Sequence, residues 1–475
     1  MIMDNKKLSA VEKAGYGLGA VGKDMVYMLS ASYVLYYFQD VIGVNAFAMG
    51  IILLVARVFD AFNDPIMGVI VAKTKTKWGK FRPWLLIGTL TNAVVLFLMF
   101  ACPPKLDAAG LTAWAAVFYI LWGVTYTMMD IPYWSMIPAF TEGGKEREGL
   151  TTLARSCAGV GSAITTIFTM QLVQKLGSHF SASQSAKDIE RIGFMILAGV
   201  VAVLFVLFIV VTCVTIKEKS TVDMKTASVG EMFSALLKND QAMAAVITIV
   251  LVNSALYITS NLVIYFYKYD LGGVTWYDDY TLFNMVGGGS QILAMMFLFP
   301  LLRKFMTSIK IFYVSIGMSL VGYIVILAVA MSGAGVAPIY LIPGVLVMAA
   351  SGVNNVLITI FLANTVDYGL VKLGRSDESV IFSMQTFVVK LASGIAAFVA
   401  SVALGIFNLS DAATTEEEHN IDFSLAVPES AKMGLRMIMT LIPIALLVFA
   451  FFWFRKKYIL TDEKMEELAQ QKKNL

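Results

Sequence analysis

The stretch KEKSTVDMKTASVGEMFSALLKND, residues 217–240, is a polar interruption near the middle of an otherwise strongly apolar chain. Apolar runs of about 20 residues or more precede and follow it, and this is the length that an α-helix needs to cross a bilayer. These runs lie near residues 16–40, 46–72, 83–103, 112–139, 151–174, 192–216, 241–268, 277–302, 309–332, 336–367, 379–407 and 433–455. The sequence therefore predicts an all-α membrane protein in which twelve transmembrane helices form two six-helix bundles.

The same interruption sets the predicted domain boundaries. Residues 1–216 are expected to form the first six-helix bundle, and residues 241–455 the second. The loop 217–240 lies between them, and its later part, VGEMFSALLK (residues 229–238), has the apolar spacing of a helix that lies along the membrane surface. Residues 456–475 are expected to form a cytoplasmic tail.

Composition also indicates a membrane protein. Hydrophobic residues make up 58% of the 475 positions and charged residues only 15%, and the mean hydropathy is +0.75. A soluble protein of this length cannot bury so much apolar surface, so lipid must surround most of the chain. The net charge of +3 gives no indication of a nucleic acid partner. Cys102, Cys157 and Cys213 lack disulfide or metal-ligand spacing, which favours buried thiols.

Lysine and arginine are concentrated in alternate loops. The loop at 73–82 and the tail from Arg455 are rich in these residues, whereas the loop at 41–45 has none. The loop at 175–191, with three basic residues, is an exception. Because positively charged residues stay preferentially in the cytoplasm, we predict a multi-pass protein with both termini cytoplasmic.

The second predicted span contains VARVFDAFNDPIMGVI, residues 55–70, in which Arg57, Asp60 and Asp64 lie among apolar side chains. Each unpaired charge at the centre of a span costs about 2.5–3.5 kcal/mol. Charges at this depth therefore face a bundle interior or a wet cavity, where they usually mark the path of an ion or a substrate. The alternative is a structural ion pair between Arg57 and Asp60, which are three residues apart.

The spacing of the two carboxylates favours an ion site. Asp60 and Asp64 are four residues apart, so their side chains project from the same side of the helix, one turn apart. Two carboxylates this close repel each other, and a bound monovalent cation or a proton relieves the repulsion. Asn63 can add a neutral oxygen, a ligand type that hard cations prefer. The stretch therefore predicts a site for a coupling ion.

The fourth predicted span carries a second polar group. In YTMMDIPYW, residues 126–134, Tyr126, Asp130 and Trp134 recur every four residues on one helix face, with Thr127 beside them. Carboxylates accept hydrogen bonds from sugar hydroxyls, and aromatic rings stack on the apolar face of a pyranose, so the group suits a carbohydrate. The alternative is interfacial aromatic residues with an unrelated carboxylate.

Further charged residues within predicted spans extend this polar set to both halves of the chain: Lys23, Asp24, Arg155 and Lys390. Arg155 can balance Asp130 or Asp24. Lys390 is predicted to hold the carboxylates at positions 60 and 64 when no cation is bound.

An intramembrane enzyme is the rival class of function. It would need a nucleophile with a base, or a metal pair. The two histidines, His179 and His419, lie in predicted external loops, and the sequence has no Ser–His or HExxH spacing. We therefore expect no enzymatic activity.

These stretches resemble the glycoside–pentoside–hexuronide cation symporters of the major facilitator class, and among them the melibiose permeases. The resemblance covers nearly the whole chain and is densest in GKDMVY (22–27), VARVFDAFNDPIMG (55–68), KWGKFRPWLLIGTLTN (77–92), YILWGVTYTMMDIPYWSMIP (119–138), KEREGL (145–150), ANTVDYG (363–369) and SMQTFVVK (383–390). It implies the major facilitator fold and sugar uptake driven by Na⁺, Li⁺ or H⁺, with alternating access between two six-helix bundles. Beyond this coupling ion, no cofactor is implied.

The resemblance also implies the roles of individual residues. Those at cation-site positions, where Na⁺ would bind to the two carboxylates, are Asp60, Asn63, Asp64 and Thr127. Those at or beside sugar-site positions are Lys23, Asp24, Tyr126, Asp130, Trp134, Arg155, Gln385 and Thr386. Lys390 matches the lysine that links the two sites. The loops KTKTKWGKFRP (73–83) and KEREG (145–149) are implied to latch the inner gate.

The implied substrate is an α-galactoside such as melibiose, but Asn355 stands where the permeases have a tryptophan, and Asn364 where they have an aspartate. A different glycoside, a pentoside or a hexuronide, or a lipid as in other relatives of the family, stays open as an alternative. The resemblance implies the cytoplasmic (inner) membrane of a bacterium. We expect a monomer whose partners are a sugar, a monovalent cation and the lipid bilayer.

Overall fold

A computed structural model describes residues 8–140, 144–182, 185–218, 234, 237–333, 337–373, 378–409 and 422–473. Within these ranges, the side chains at 144–149 and 378–386 lie outside the description. The predicted surface helix at 229–238 falls mostly outside it as well. The described residues form two compact units, one within residues 8–218 and the other within residues 234–473.

Among its described residues, the first unit has six long helices. In chain order they are α1 Ala10–Tyr36, α2 Ala46–Lys73, α3 Arg82–Phe100, α4 Ala108–Ser135, α5 Gly144–Phe180 and α6 Ala186–Thr215. Helix α1 packs against α5 and α6, α3 packs against α4 and α6, and α2 packs against α4. The contact between α2 and α4 brings the two predicted polar stretches of this unit together.

The second unit repeats this organisation and adds a helix in the tail. Its helices are α7 Asp240–Tyr265, α8 Trp276–Leu293, α9 Ser308–Met331, α10 Leu341–Leu373, α11 Glu378–Ile406, α12 Glu429–Lys457 and α13 Asp462–Lys473. Helix α7 packs against α11 and α12, while α10 packs against α8 and α9. Helix α9 also contacts α12.

The helices have the length and apolarity that a membrane requires. Among the described residues, 11 helices are long and apolar enough to cross a bilayer. Helix α1 is not among these 11. Its 27 residues give a length of about 40 Å, which is enough to cross a bilayer. Lys23 and Asp24 in its middle make it less apolar. Each predicted span corresponds to one of these helices, so the predicted all-α membrane fold is confirmed.

Side-chain caps mark where several helices begin. At α1, the hydroxyl of Ser9 accepts a hydrogen bond from the Glu12 backbone (3.2 Å), and the Glu12 carboxylate accepts one from the Ser9 backbone (2.8 Å). This reciprocal pair satisfies two groups that a helix start leaves without partners. Asn45, Asp107 and Asn239 cap α2, α4 and α7 through their side-chain oxygens.

The carboxylate of Glu218, just beyond α6, caps the start of α3. It accepts hydrogen bonds from the backbone nitrogens of Lys80 (2.7 Å), Phe81 (3.0 Å) and Arg82 (3.1 Å). A negative charge at a helix N-terminus is stabilised by the helix dipole. Gly79 has a φ of +110°, and a Cβ there would lie 2.3 Å from the carboxylate, so only glycine fits this turn. The implied gate function of this loop stays a prediction.

The first helix of each unit ends in a π-helical turn. These turns are Tyr37–Val41 after α1 and Phe266–Leu271 after α7. Both are followed by a glycine with positive φ, at +85° for Gly43 and +95° for Gly273. The two sequences, YYFQDVIGV (36–44) and FYKYDLGGV (266–274), match at the tyrosine, aspartate, glycine and final valine.

Candidate functional site

Lys23 is the centre of a charged cluster between α1 and α4. Its Nζ lies 2.8 Å from Oδ1 of Asp130 on α4 and 3.5 Å from Oδ1 of Asp24 on α1. The lysine is only 3% exposed, so its charge is removed from solvent and balanced by these carboxylates. A buried charge is tolerated only when it is paired in this way.

Aromatic side chains of α4 surround the same lysine. Nζ of Lys23 lies 3.3 Å from the hydroxyl of Tyr126 and 5.1 Å from the ring centroid of Trp134. On α5, the guanidinium of Arg155 stacks on Trp134 with 4.0 Å from its Cζ to the ring centroid. The structure thus brings the predicted sugar-site residues of the first unit together. Four charged groups, two of each sign, meet an indole ring there.

The prediction that Arg155 balances the charge of Asp130 or Asp24 stays a prediction, because Arg155 lies in the same cluster without pairing directly with either carboxylate. Among the described residues, Arg155 forms no ion pair with either carboxylate, because Lys23 lies nearer to both and Arg155 stacks on Trp134 instead. Guanidinium groups stack readily on indole rings through cation–π attraction.

A tyrosine pair that sequence reasoning missed braces this cluster. The hydroxyl of Tyr16 on α1 donates a hydrogen bond to the carbonyl of Tyr133 on α4, and the hydroxyl of Tyr133 donates one to the carbonyl of Tyr16. The oxygen–oxygen distance is 2.5 Å in both bonds. The two rings are stacked 4.5 Å apart. Because Tyr133 adjoins Trp134 and Tyr16 lies two turns before Lys23, the brace fixes α1 against α4 at the cluster. A buried tyrosine needs a hydrogen-bond partner, but the sequence does not show which partner it takes.

Asp60 lies inside the first unit and is held by Arg57. Oδ2 of Asp60 lies 3.3 Å from Nη1 of Arg57, and both side chains are buried. The guanidinium of Arg57 also lies over the ring of Tyr119 on α4, 5.9 Å from its centroid. The structural ion pair that was the alternative for this pair of residues is therefore present.

The other oxygen of Asp60 faces α4. A Cβ built on Gly123 would lie 2.8 Å from Oδ1 of Asp60, so the glycine leaves the space that this carboxylate occupies. One turn further along both helices, Oδ1 of Asp64 accepts a hydrogen bond from the hydroxyl of Thr127 (2.9 Å). The prediction that both carboxylates project from the same side of α2 agrees with these contacts. Gly123 was not predicted, although its position four residues before Thr127 is a usable signal.

Asn63 completes the set on α2. Its Nδ2 is buried and has no hydrogen-bond partner among the described residues. A rotated amide would instead place Oδ1, an acceptor, at this point. No group of three or more His, Cys, Asp or Glu side chains that could hold a metal occurs in the described part of the chain. A cation site here would therefore combine two carboxylates with neutral oxygens.

The predicted site residues of the second unit lie on α10 and α11. Lys390 is half-buried on α11, and its carbonyl accepts a hydrogen bond from Ser393 (2.7 Å). Gln385 and Thr386 belong to the same helix, but their side chains lie outside the described residues. Asn355 on α10 is exposed. The predicted link between Lys390 and the carboxylates of α2 stays a prediction.

Comparison with known proteins shows the family of the chain. The family model described as MFS/sugar transport protein matches residues 15–462. The chain belongs to this family. The predicted resemblance to major facilitator symporters is thereby confirmed, and so is the expectation of a multi-pass membrane transporter rather than an enzyme.

Individual relatives of this MFS/sugar transport protein are distant but cover its length. It is 27% identical to the uncharacterized symporter YjmB of Bacillus subtilis (strain 168), over 98% of this chain and 95% of that protein. It is 25% identical to the raffinose carrier protein of Pediococcus pentosaceus, over 96% and 70% respectively. A bacterial homologue of the human lysosomal transporter Spinster, solved in an inward-facing and unoccupied conformation, has the same fold, with a TM-score of 0.63, 12% identity and 97% coverage of both chains.

Proposed function

We propose that the protein couples inward movement of a monovalent cation, Na⁺, Li⁺ or H⁺, to uptake of a glycoside, and that the glycoside is an α-galactoside such as melibiose. Sugar transport in general follows from the family, and the relatives' names include a symporter and a raffinose carrier. Raffinose contains an α-galactosyl unit. The observation that carries the proposal is the cluster of Lys23, Asp24 and Asp130 beside Trp134 inside a membrane bundle.

The sugar part of the proposal rests on the chemistry of this cluster. Carboxylates that accept hydrogen bonds from hydroxyl groups are stronger acceptors than neutral groups. Asp24 and Asp130 share one lysine and therefore retain oxygens for sugar hydroxyls. The half-buried ring of Trp134 supplies an apolar surface for a pyranose. Tyr126 and Arg155 add hydrogen-bond donors at the edges of this cluster. Gln385 and Thr386 of the second unit are proposed to contribute further contacts with the sugar.

The cation part rests on α2 and its contacts with α4. Arg57 contacts only Oδ2 of Asp60, which leaves Oδ1 available to a cation near Gly123. Asp64, Thr127 and a rotated Asn63 amide would add three oxygens one turn away. Small hard cations prefer such a group of oxygens, and a proton can take the place of a metal ion on a carboxylate.

Helix α4 offers a physical link between the two parts. Thr127, which contacts Asp64, and Asp130, which contacts Lys23, are three residues apart on this helix. A cation that draws Asp64 and Thr127 together therefore acts on the helix that carries the sugar group. By linkage, each ligand must raise the affinity of the other by the same factor. Lys390 is proposed to replace the cation at the carboxylates when the site is unloaded.

Uptake into proteoliposomes tests the proposal. Labelled melibiose should accumulate only under an inward gradient of Na⁺, Li⁺ or H⁺, and Asp64→Asn should abolish accumulation while sugar still binds. Asp188→Asn is the matched control, because Asp188 pairs with Arg191 at the start of α6, away from the site. Concentrative uptake by the Asp64→Asn protein would disprove the cation-site assignment.

Competition identifies the sugar. A panel of unlabelled α-galactosides, other glycosides, pentosides, hexuronides and a lysophospholipid is tested for competition with the labelled galactoside at fixed sodium. The panel is necessary because Asn355 stands where the melibiose permeases have a tryptophan. Competition only by a lysophospholipid would favour the lipid-translocating alternative. We further propose a monomer in the bacterial inner membrane with both termini cytoplasmic, which reporter fusions to each terminus would test.

A further inference from the structure

The second unit contains a small pocket that none of the charged residues described above lines. It lies between α7, α9, α10 and α12, and its polar lining residues are Asn253, Ser319, Tyr323, Ser351 and Asn354. Ala255 and Leu447 also line it, and all seven residues are buried. No charged side chain is among these lining residues, so the pocket joins neutral amides and hydroxyls to aliphatic groups.

Some of the polar lining groups have protein partners. Oδ1 of Asn354 accepts a hydrogen bond from Ser315 (2.6 Å), and the hydroxyl of Ser351 accepts one from the amide of Gln291 (3.3 Å). The Tyr323 hydroxyl accepts one from Thr259 (3.0 Å). Among the described residues, the Ser351 hydroxyl and the Asn354 amide accept these bonds but donate none to a protein group.

Two other lining groups have no such partner. Among the described residues, no hydrogen bond is formed by the side chains of Asn253 and Ser319, which are 7% and 5% exposed. Within the hydrocarbon region, each unsatisfied polar group costs several kcal/mol. A polar pocket with such groups is therefore stable only if something inside it exchanges hydrogen bonds with them.

The size of the pocket limits what that ligand is. The pocket has a volume of about 20 Å³. On the same measure, one bound water needs at least about 10–15 Å³, so the pocket holds one or at most two water molecules. Sugar-sized ligands occupy pockets of about 300 Å³ or more. A metal ion without a counter-charge is disfavoured, since no carboxylate lines the space. Water is small, neutral, and both a donor and an acceptor.

We propose that this pocket is a binding site for one or two ordered water molecules. The water bridges Asn253 on α7 to Ser319 on α9 and to Ser351 or Asn354 on α10. It thus links three helices of the second unit through hydrogen bonds. Without water, the side chains of Asn253 and Ser319 would have no hydrogen-bond partner among the described residues. This site is independent of the proposed sugar and cation specificity.

Radiolytic footprinting of the wild-type protein in detergent tests the proposal, because radicals formed from internal water label the buried side chains beside it. Tyr323 and Leu447 are 1% and 2% exposed, and Tyr33 and Leu404, which are not exposed at all, serve as matched controls. We expect labelling of the pocket residues on the order of tenfold faster than that of the controls, as bound water predicts. Equal rates would mean a dry pocket and overturn the proposal.

Two further measurements exclude other occupants. Labelling should be the same in sodium and in choline buffer; loss of labelling in sodium would show that the pocket takes a cation and would overturn the proposal. The Ala255→Val variant adds methyl groups to the lining and should reduce the labelling of Tyr323 to the control rate. Unchanged labelling in this folded variant would place the water elsewhere and would also overturn the proposal.

Discussion

The first unit brings charged side chains together inside a membrane bundle, whereas the polar pocket of the second unit contains only amides and hydroxyls. Lys23, Asp130 and Arg155 meet around Trp134 in the first, while Asn253 and Ser319 line the second. A charge in hydrocarbon is far more costly than a neutral dipole. The first unit therefore accepts a cost that ligand binding explains, whereas the amides and hydroxyls of this pocket need only water as a partner.

Breaking the ion pair of α2 should have the largest effect. Arg57→Met leaves the buried Asp60 carboxylate without its partner, which should lower the free energy of unfolding by about 3–5 kcal/mol. The measurement is denaturant unfolding in a mild detergent. The matched change in the second unit, Gln291→Leu, removes a neutral bond to Ser351 and should cost only about 1 kcal/mol.

The double variant Arg57→Met/Asp60→Leu sharpens this result. Replacing both members of a buried pair by apolar groups is often nearly neutral, so most of the lost stability should return. If the single and double variants are equally unstable, Arg57 stabilises the bundle through its packing on Tyr119 rather than through Asp60.

Changing the sugar cluster should have the next largest effect. Asp130→Asn removes the nearest carboxylate from Lys23 and a charged acceptor from the ligand, and bonds to charged groups contribute about 1.5–3 kcal/mol each. We expect melibiose binding to weaken about 100-fold, as measured by competition in the purified protein. Asp188→Asn on α6 is the control, and binding that changes equally in both variants would refute the role of Asp130.

A smaller effect is expected from Gly123→Ala. The added methyl group would lie 2.8 Å from Oδ1 of Asp60, and overpacking of this kind costs about 1–3 kcal/mol. Cation affinity, measured as the concentration that half-saturates sugar uptake, should fall about tenfold. Gly159→Ala is the matched control because a Cβ there would meet no atom within 4 Å apart from the adjacent backbone of its own helix; equal effects would show that Asp60 is not involved.

The smallest effect should come from Thr127→Val. This change removes one hydrogen bond to Asp64 and keeps the shape of the side chain, so cation affinity should fall about fivefold, in line with a loss of about 1 kcal/mol. Thr112→Val on the same helix is the control, and it should leave cation affinity unchanged. It removes a hydroxyl whose hydrogen bond goes to the Ala108 carbonyl of its own helix. A loss of sugar binding without a change in cation affinity would show that Thr127 belongs to the sugar site and not to the cation site.

Sequence alone predicts much of this molecule because membranes impose simple rules. Apolar length places the helices, and a charge such as Lys23 or Asp64 within a span stands out because its cost demands a partner. The identity of that partner is not encoded locally. The stacking of Arg155 on Trp134 and the exchange of hydrogen bonds between Tyr16 and Tyr133 depend on which helices pack together.

Neutral groups give an even weaker signal. Asn253 and Ser319 are common residues in membrane helices, and nothing in their spacing predicts a shared pocket, because they lie on different helices. Gly123 is similarly inconspicuous among 36 glycines. Its meaning comes from the carboxylate that occupies the space beside it.

The paired π-helical turns after α1 and α7 affect how insertions and deletions are tolerated. A π-turn holds one residue more than an α-turn, and one residue corresponds to a rotation of about 100° around a helix axis. Loss of a single residue from Tyr37–Val41 would replace the wide turn by a regular α-turn, so the side chains within the turn, Asp40 among them, would change position by up to that angle. Both units contain such a wide turn at the same place, after their first helix, and length variation is therefore expected to spare these two turns.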